Sequence, residues 1–385
     1  MMGQRLTGPC ITIFLILAML SACPTFVRLT SASAPAGPAI DVHNHLPRGV
    51  TLEALIKLMN DAGARKTLLM PVFIDRDKPN GQGISDENLV VEFYKQQPDR
   101  IIPFLGMQRD WTETQGEAWE NLLRFAESQL RTGFFRGIGE FILWHYAYSY
   151  PDGEQGDEVK IPADGPFVKK FLDLAAKYRV PVIIHYEIDE ESLPSLKKML
   201  TYGRKVTIIL AHNGGRPDPI TWKALLDDYP NLFYDLGGMT RLGHYGYASG
   251  EYVKNPIDDG TGHLRPAWKP LYEQYADRIV GIGTDFAHPE VWASNQKSGR
   301  YSTMIAVFRS LLSDLSTETV EKIWFRNAEK MFATNTSATN AATGATGTVK
   351  TGFTGAEAVH VVMVTALAPI VPLFTPEKRK VELPS

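Results

Sequence analysis

Two histidines separated by one residue lie in the stretch Asp41-Val42-His43-Asn44-His45. If this stretch is a β-strand, His43 and His45 point to the same face, together with Asp41 one step deeper. Two imidazoles placed in this way can bind one metal ion, and the Asp41 carboxylate could then fix the tautomer of a histidine ring. The alternative is a pair of structural or surface histidines, because a His-x-His pattern also arises by chance.

A metal site needs more ligands, and the elements that would position them are regular. Eight short apolar segments predict β-strands, and most are continuously apolar, which is typical of parallel strands buried on both faces. They are residues 39–46, 67–73, 101–107, 137–143, 180–187, 206–213, 232–239 and 279–286. Amphipathic patterns predict helices between them, at 52–59, 85–97, 114–132, 164–178, 190–202, 217–229, 266–277, 301–314 and 317–332.

This alternation predicts a (β/α)8 TIM barrel over residues 39–333. A doubly wound open sheet is the alternative, but it would be expected to carry a Gly-rich phosphate-binding turn after an early strand, and the sequence has none.

Potential ligands lie at or near the ends of several of the predicted strands. Because the carboxyl ends of barrel strands meet at one rim, we expect these side chains to converge. They are His43, His45, Glu140, His185, His212 and Asp285. Two carboxylates buried together require a compensating cation. Imidazole and carboxylate ligands without thiolate favour a divalent metal, zinc first and manganese or iron as alternatives.

With this set, the chain resembles the amidohydrolase superfamily, specifically its amidohydrolase-2-like branch, over about residues 39–333. The resemblance rests on D-x-H-x-H at 41–45, His185, A-H-N-G-G at 211–215, G-T-D at 283–285 and N-A-E-K-M-F at 327–332. It implies that His43, His45 and Asp285 hold a first metal. His185 would be a further ligand, and His212 would bind a second metal or orient a water molecule.

The role of Glu140 determines whether the site is expected to hold one metal ion or two. The resemblance implies that a glutamate at this position bridges two metals in some members, whereas the one-metal decarboxylases do not need it. The predicted reaction is hydrolysis of an amide, lactone or ester of a small molecule, with water activated by the metal and with Asp285 as proton acceptor.

Two other functions remain open. The first is a metal-dependent non-oxidative decarboxylase of a carboxylic acid, and the second is a tethered binding protein without catalysis. Arg241, His263, His288 and Trp144 are candidate substrate contacts, each with a structural role as the alternative.

The composition sets limits on partners and folding. Apolar residues make up 44% of the 385 residues and charged residues 22%, which is typical of a soluble enzyme. The net charge of −3 gives no reason to expect nucleic acid as a partner. The sequence does not indicate which oligomeric state the protein adopts.

The two ends of the chain differ from this pattern. Arg5, the apolar run 11–20 and Leu20-Ser21-Ala22-Cys23 resemble a lipoprotein signal, which implies cleavage before a lipidated Cys23 and a membrane tether outside the cytoplasm. Cleavage after Ala34, giving a secreted protein, is the alternative. Residues 1–22 are thus predicted as signal peptide, 23–38 as flexible tether, and 334–385 as low-complexity linker and tail.

Overall fold

The fold is an α/β barrel. The computed structural model describes residues 37–46, 49–71, 87–107, 117–147, 158–215, 217–240, 255–285 and 300–333. The strands are β1 Ala39–Asp41, β2 His45–Leu46, β3 Ala64–Pro71, β4 Ile101–Pro103, β5 Ile138–His145, β6 Val159–Lys160, β7 Val182–Tyr186, β8 Ile208–Leu210, β9 Leu232–Gly237 and β10 Ile279–Gly283.

Eight of these strands form the barrel wall, and all eight pair in parallel. The order around the wall is β1, β3, β4, β5, β7, β8, β9 and β10. Asp41 pairs with Ile282 between the first and last strands. A parallel bridge between Leu105 and Ile138 joins β4 to β5. The predicted (β/α)8 barrel is therefore confirmed, and the open doubly wound sheet is wrong.

Helices follow the strands, as the amphipathic patterns predict. They are α1 Leu52–Ala62, α2 Glu87–Gln96, α3 Glu117–Arg131, α4 Pro166–Tyr178, α5 Leu193–Tyr202, α6 Pro219–Asp228, α7 Lys269–Gln274, α8 Arg300–Leu312, α9 Thr317–Glu321 and α10 Asn327–Met331. Side chains at their first turns fix several starting points: Thr51 accepts the N–H of Ala54, and Asp218 accepts the N–H groups of Ile220 and Thr221.

Apolar side chains fill the lower part of the barrel. Ile40, Ile183 and Ile209 belong to one buried cluster together with Phe104 and Phe332, whose rings lie 5.4 Å apart, edge to face. Alternation along β7 places Ile183 in this cluster, whereas Ile184 packs between strands and helices. The ligand candidates His43, His212 and Asp285 lie just beyond the carboxyl ends of β1, β8 and β10.

Two segments differ from the predicted elements at places that matter for the site. The predicted strand 39–46 divides into β1 and β2, and residues 42–44 between them are not in a strand. The predicted strand 206–213 ends at Leu210, because His212 and Asn213 both have a φ of 56° and form a 3-10 turn that ends at Gly214. An extended strand cannot continue through such backbone angles.

The predicted helix 317–332 is one helical run with an internal π-turn at Lys322–Arg326 between α9 and α10. Among the helices in the described part of the chain, none combines the length and apolar character needed to cross a membrane.

Candidate metal centre

One group of ligand atoms surrounds one oxygen of Glu140. The Nε2 atoms of His43 and His45 lie 3.3 Å apart. They lie 3.6 and 3.4 Å, respectively, from Glu140 Oε2. The two rings come from the segment after β1, and Glu140 comes from β5, so strands from different parts of the wall meet here. The three side chains are at most 2% exposed.

A second group surrounds the other oxygen of the same carboxylate. His185 Nδ1 lies 3.4 Å from Glu140 Oε1, and His212 Nε2 lies 3.1 Å from it. His185 lies on β7 and His212 follows β8. Each group places its ligand atoms within 4.8 Å of one another, a spacing that allows coordination of one ion. Glu140 therefore offers one oxygen to each pair of histidines.

Asp285 contacts both groups from the rim. Its Oδ1 lies 3.6 and 3.5 Å from Nε2 of His43 and His45, and its Oδ2 lies 3.8 Å from Nδ1 of His212. The Asp285 N–H donates to the carbonyl of His43 at 2.8 Å, which fixes the backbone just after β10. The structure thus brings together all six residues that the sequence singles out as ligands.

Two glycines make room for the His43 ring. A Cβ atom on Gly283 would lie 2.5 Å from Cβ of His43, and one on Gly237 would lie 2.9 Å from its Cγ. Any side chain at either position would displace the ring. The strands on this side of His43 can approach closely only because both residues are glycine.

The donor set of the second group fits a cation. His212 Nδ1 lies 2.8 Å from the carbonyl oxygen of Gly237, which can only accept, so this nitrogen carries the proton. In the neutral ring Nε2 is then an acceptor, and it faces the Glu140 carboxylate oxygen at 3.1 Å. Two buried acceptors in this position repel each other unless a positive charge lies between them.

The protonation behaviour of the rings agrees with this. Burial disfavours the charged form of His212, but the Asp285 and Glu140 carboxylates outweigh it and raise its pKa to about 9. Burial is likewise outweighed at His43, where Asp235 and Glu140 raise the pKa well above its ordinary value. At Glu140 burial is outweighed by the surrounding histidines, and its pKa is lowered well below the ordinary value. The positions of His212 and His43 therefore stabilise added positive charge, which a divalent metal provides, whereas burial lowers the pKa of His185.

Two buried carboxylates support the rings, and sequence reasoning missed both. Asp235 on β9 accepts from His43 Nδ1 at 3.0 Å, and Glu187 Oε1 lies 3.5 Å from His185 Nε2. Both are 0% exposed. A signal was present, since an acidic residue inside an apolar strand such as Leu232–Gly237 needs a partner in the core.

His145 forms a further cluster with His185 and Glu187. His185 cannot serve as a neutral ligand on both sides: if Nδ1 faces an ion beside Glu140, Nε2 carries the ring proton. The Glu187 carboxylate oxygen then lies 3.5 Å from this protonated nitrogen, an ion-pair contact that favours this orientation of the ring.

Asp41 has a different role from the one predicted. Its carboxylate accepts the N–H of His43 at 3.3 Å, the N–H and hydroxyl of Thr284 at 3.0 and 2.6 Å, and the hydroxyl of Tyr301 at 3.0 Å. These contacts involve no imidazole ring. The strand ends at Asp41, so the alternation that would place it beside the rings does not continue, and Asp235 is the carboxylate that contacts His43 Nδ1.

Two of the four predicted substrate contacts, Trp144 and His263, lie in the part of the chain that the structure describes. Trp144 is buried and packs against Tyr186, with ring centroids 5.9 Å apart. His263 is 49% exposed and pairs with Asp314 at 3.0 Å, which makes it part of a surface contact. Arg241 and His288 lie outside the described residues, as do the leader with Cys23 and the tail 334–385.

Comparison with solved structures gives distant matches of low identity. An uncharacterised TIM-barrel protein from Bordetella bronchiseptica is 15% identical, with a TM-score of 0.48 over 74% of this chain and 83% of that one. Dihydroorotase from Campylobacter jejuni is 16% identical, with a TM-score of 0.47 over 77% and 83%. 2,6-Dihydroxybenzoate decarboxylase from Rhizobium is 14% identical, with a TM-score of 0.44 over 77% and 98%.

Comparison with protein families is more decisive. No curated protein matches the chain. The family model described as "Amidohydrolase", however, matches residues 40–334, which include the whole barrel wall from Ile40 onward and every residue of the metal cluster. The chain therefore belongs to the amidohydrolase family and is a metal-dependent enzyme.

Proposed function

We propose that this enzyme is a two-metal hydrolase that attacks an amide, lactone or ester of a small molecule with activated water. The observation that carries the proposal is the position of Glu140 between two histidine pairs. Its Oε2 lies 3.4 Å from Nε2 of His45, and its Oε1 lies 3.1 Å from Nε2 of His212. A carboxylate in this position can bridge two cations, which a one-metal site does not require.

The ligands divide between two ions. His43, His45 and Asp285 would hold the first ion. His185 and His212 would hold the second, and Glu140 would be shared. Nitrogen and carboxylate donors without thiolate favour zinc at both positions.

The chain's own groups can bind the substrate's reacting parts and move protons. A divalent cation supplies Lewis acidity, which lowers the pKa of water and polarises a carbonyl group. Asp285 is the more exposed of the two acidic ligands, with a side chain 10% exposed against 2% for Glu140, so its carboxylate is the one that solvent reaches. Its carboxylate can accept a proton from water and pass it to the leaving group.

Metal analysis of the purified protein tests the two-metal part. We expect about two zinc ions per chain in the wild type and at most one in Glu140→Ala, with turnover reduced. Glu191→Ala is the matched control, because Glu191 is a surface glutamate, 61% exposed, that pairs with Lys160. A Glu140→Ala protein that keeps both ions and full turnover would overturn the proposal.

A substrate panel tests the reaction. Amides, lactones and esters should be cleaved with incorporation of oxygen from labelled water. Release of carbon dioxide from a carboxylic acid, without such incorporation, would identify the enzyme as a decarboxylase. A chain that binds metal but turns over no member of either panel, and whose His43→Ala/His45→Ala form keeps its cellular role, would be a binding protein.

We also propose that the enzyme acts outside the cytoplasm, tethered through a lipidated Cys23. The leader of the sequence supports this, with its ten-residue apolar run before Leu20-Ser21-Ala22-Cys23. Labelled fatty acid should be incorporated into the wild type and not into Cys23→Ser. Release of unlabelled wild-type protein into the medium would favour secretion.

A further inference from the structure

We propose that Asp235 is a positioning residue that couples the two halves of the metal centre through one buried carboxylate. The proposal rests on the two-metal centre proposed above and extends it. Asp235 lies on β9, is 0% exposed, and belongs to neither group of ligands.

One oxygen of Asp235 contacts the first half of the centre, which contains His43 and His45. His43 Nδ1 lies 3.0 Å from Asp235 Oδ2, and since a carboxylate only accepts, Nδ1 carries the proton. The lone pair of the neutral ring is then on Nε2, the atom that faces His45, Glu140 and Asp285. Asp235 therefore selects the tautomer in which His43 can act as a ligand through Nε2.

The other oxygen of Asp235 contacts the second half of the centre, which contains His185 and His212. Asp235 Oδ1 accepts the backbone N–H of His212 at 3.1 Å and that of Gly237 at 2.8 Å. His212 has a φ of 56°, an unfavourable backbone angle that requires local support. The same carboxylate that fixes the His43 ring thus holds the turn that presents His212.

Gly237 completes the connection. Its N–H is held by Asp235, and its carbonyl oxygen accepts the His212 Nδ1 proton at 2.8 Å. His212 is therefore fixed at its backbone directly and at its ring through Gly237. His43 and His212 both direct Nε2 toward Glu140. Asp235 fixes both orientations, directly at His43 and through the backbone and Gly237 at His212.

Three variants separate these roles. Asn at position 235 keeps an oxygen that can accept from His212 and Gly237, but it places an amide N–H₂ against His43 Nδ1. Ala removes both functions. Asp41→Asn is the matched control, because Asp41 is an equally buried carboxylate that contacts backbone and hydroxyl groups and no imidazole ring.

The first readout does not depend on metal. In ¹⁵N-histidine-labelled, metal-depleted protein, we expect a downfield, slowly exchanging His43 Nδ1 proton. It should be absent in Asp235→Asn and present in Asp41→Asn. Hydrogen exchange at the His212 and Gly237 amides should stay slow in Asp235→Asn and become fast in Asp235→Ala.

The second readout is metal titration. Asp235→Asn should weaken one of two binding steps by about 10–100-fold, and Asp235→Ala should weaken both. Glu187→Gln, which changes the carboxylate beside His185 and leaves Asp235 in place, should weaken only one step. A wild type that binds a single ion would disprove the two-metal centre, while the His43 proton signal would still test Asp235. An Asp235→Asn protein with the proton signal and both affinities unchanged would overturn the inference.

Discussion

The Nε2 atom of His212 lies 3.1 Å from Oε1 of Glu140, while Nδ1 of the same ring donates its proton to the carbonyl oxygen of Gly237. The ring has no neutral tautomer that donates to Glu140 and keeps the contact with Gly237. This position therefore needs a proton or a metal ion between the two side chains, and the two compete for the same place.

The competition predicts how metal affinity depends on pH. The pKa of His212 in the metal-depleted protein is about 9, above its ordinary 6.5, so the ring keeps its proton over this interval. A metal ion must displace it, and apparent affinity should rise with pH between about 6.5 and 9, by about tenfold per pH unit for each proton displaced. Calorimetric titrations in buffers of different ionisation enthalpy measure the protons released. Affinity that stays constant across this interval would contradict the assignment.

Replacing Asp285 tests the proton acceptor. Asp285→Asn keeps the shape and an oxygen near His43 and His45, but an amide cannot accept a proton from water. We expect kcat to fall by about 10²–10⁴-fold, with a smaller change in KM. Steady-state kinetics on a substrate from the panel measure this. Asp314→Asn, at the surface pair with His263, should leave kcat unchanged. Wild-type kcat in Asp285→Asn would remove this residue from the proposed role.

Asp41 predicts a pH dependence of stability. Burial raises its pKa to about 6, against hydrogen bonds from Thr284, Tyr301 and His43 that favour the carboxylate. Since the folded pKa exceeds the ordinary 3.8, the folded state binds this proton more tightly than the unfolded chain. The resulting stabilisation is complete below pH 3.8 and is lost as the pH rises through 6.

Urea unfolding of the wild type and Asp41→Asn at several pH values measures this contribution. The free energy of unfolding of the wild type, relative to the variant, should decrease by up to about 3 kcal/mol between pH 4 and 7. Other titrating groups are common to both proteins and cancel in the difference. A difference that increases over this range would show that the hydrogen bonds outweigh burial.

Tyr272 predicts a stabilising substitution. It is 0% exposed and packs against Trp222 and Trp268 at 5.8 Å, and its hydroxyl has no hydrogen-bond partner among the described residues. Tyr272→Phe keeps the ring and should raise the free energy of unfolding by about 1 kcal/mol. Tyr186→Phe is the control, because Tyr186 donates to the carbonyl of Ser192 at 2.9 Å and should lose about 1 kcal/mol. A loss in Tyr272→Phe would reveal a partner for its hydroxyl.

The residues that sequence reasoning found share one property. His43, His185 and Asp285 are polar residues at the ends of apolar strands, where residue type and position together indicate convergence at the rim. The strand count followed equally well from the continuous apolar runs. Both signals are local, so one sequence is enough to reveal them.

The features that it missed depend on geometry between distant residues. The partner of Asp235 is 192 residues away, and no local pattern connects β9 with His43. The turn at His212 depends on positive φ angles at two residues that are not glycine, which the carboxylate of Asp235 and the following glycines support. Asp41 does not lie beside the imidazole rings, because the strand ends at Asp41 and the alternation does not extend to His43.

The pairing of β1 with β10 also limits when the first half of the centre can form during folding. Asp41 accepts hydrogen bonds from Thr284 and Tyr301, which lie 243 and 260 residues further along the chain. The first half of the centre, which needs His43, His45 and Asp285, therefore forms only after the first and last strands have met. The second half uses β5, β7 and the turn after β8, which are closer in sequence. A growing chain can thus complete the second half earlier, and occupancy of the first reports that the barrel has closed.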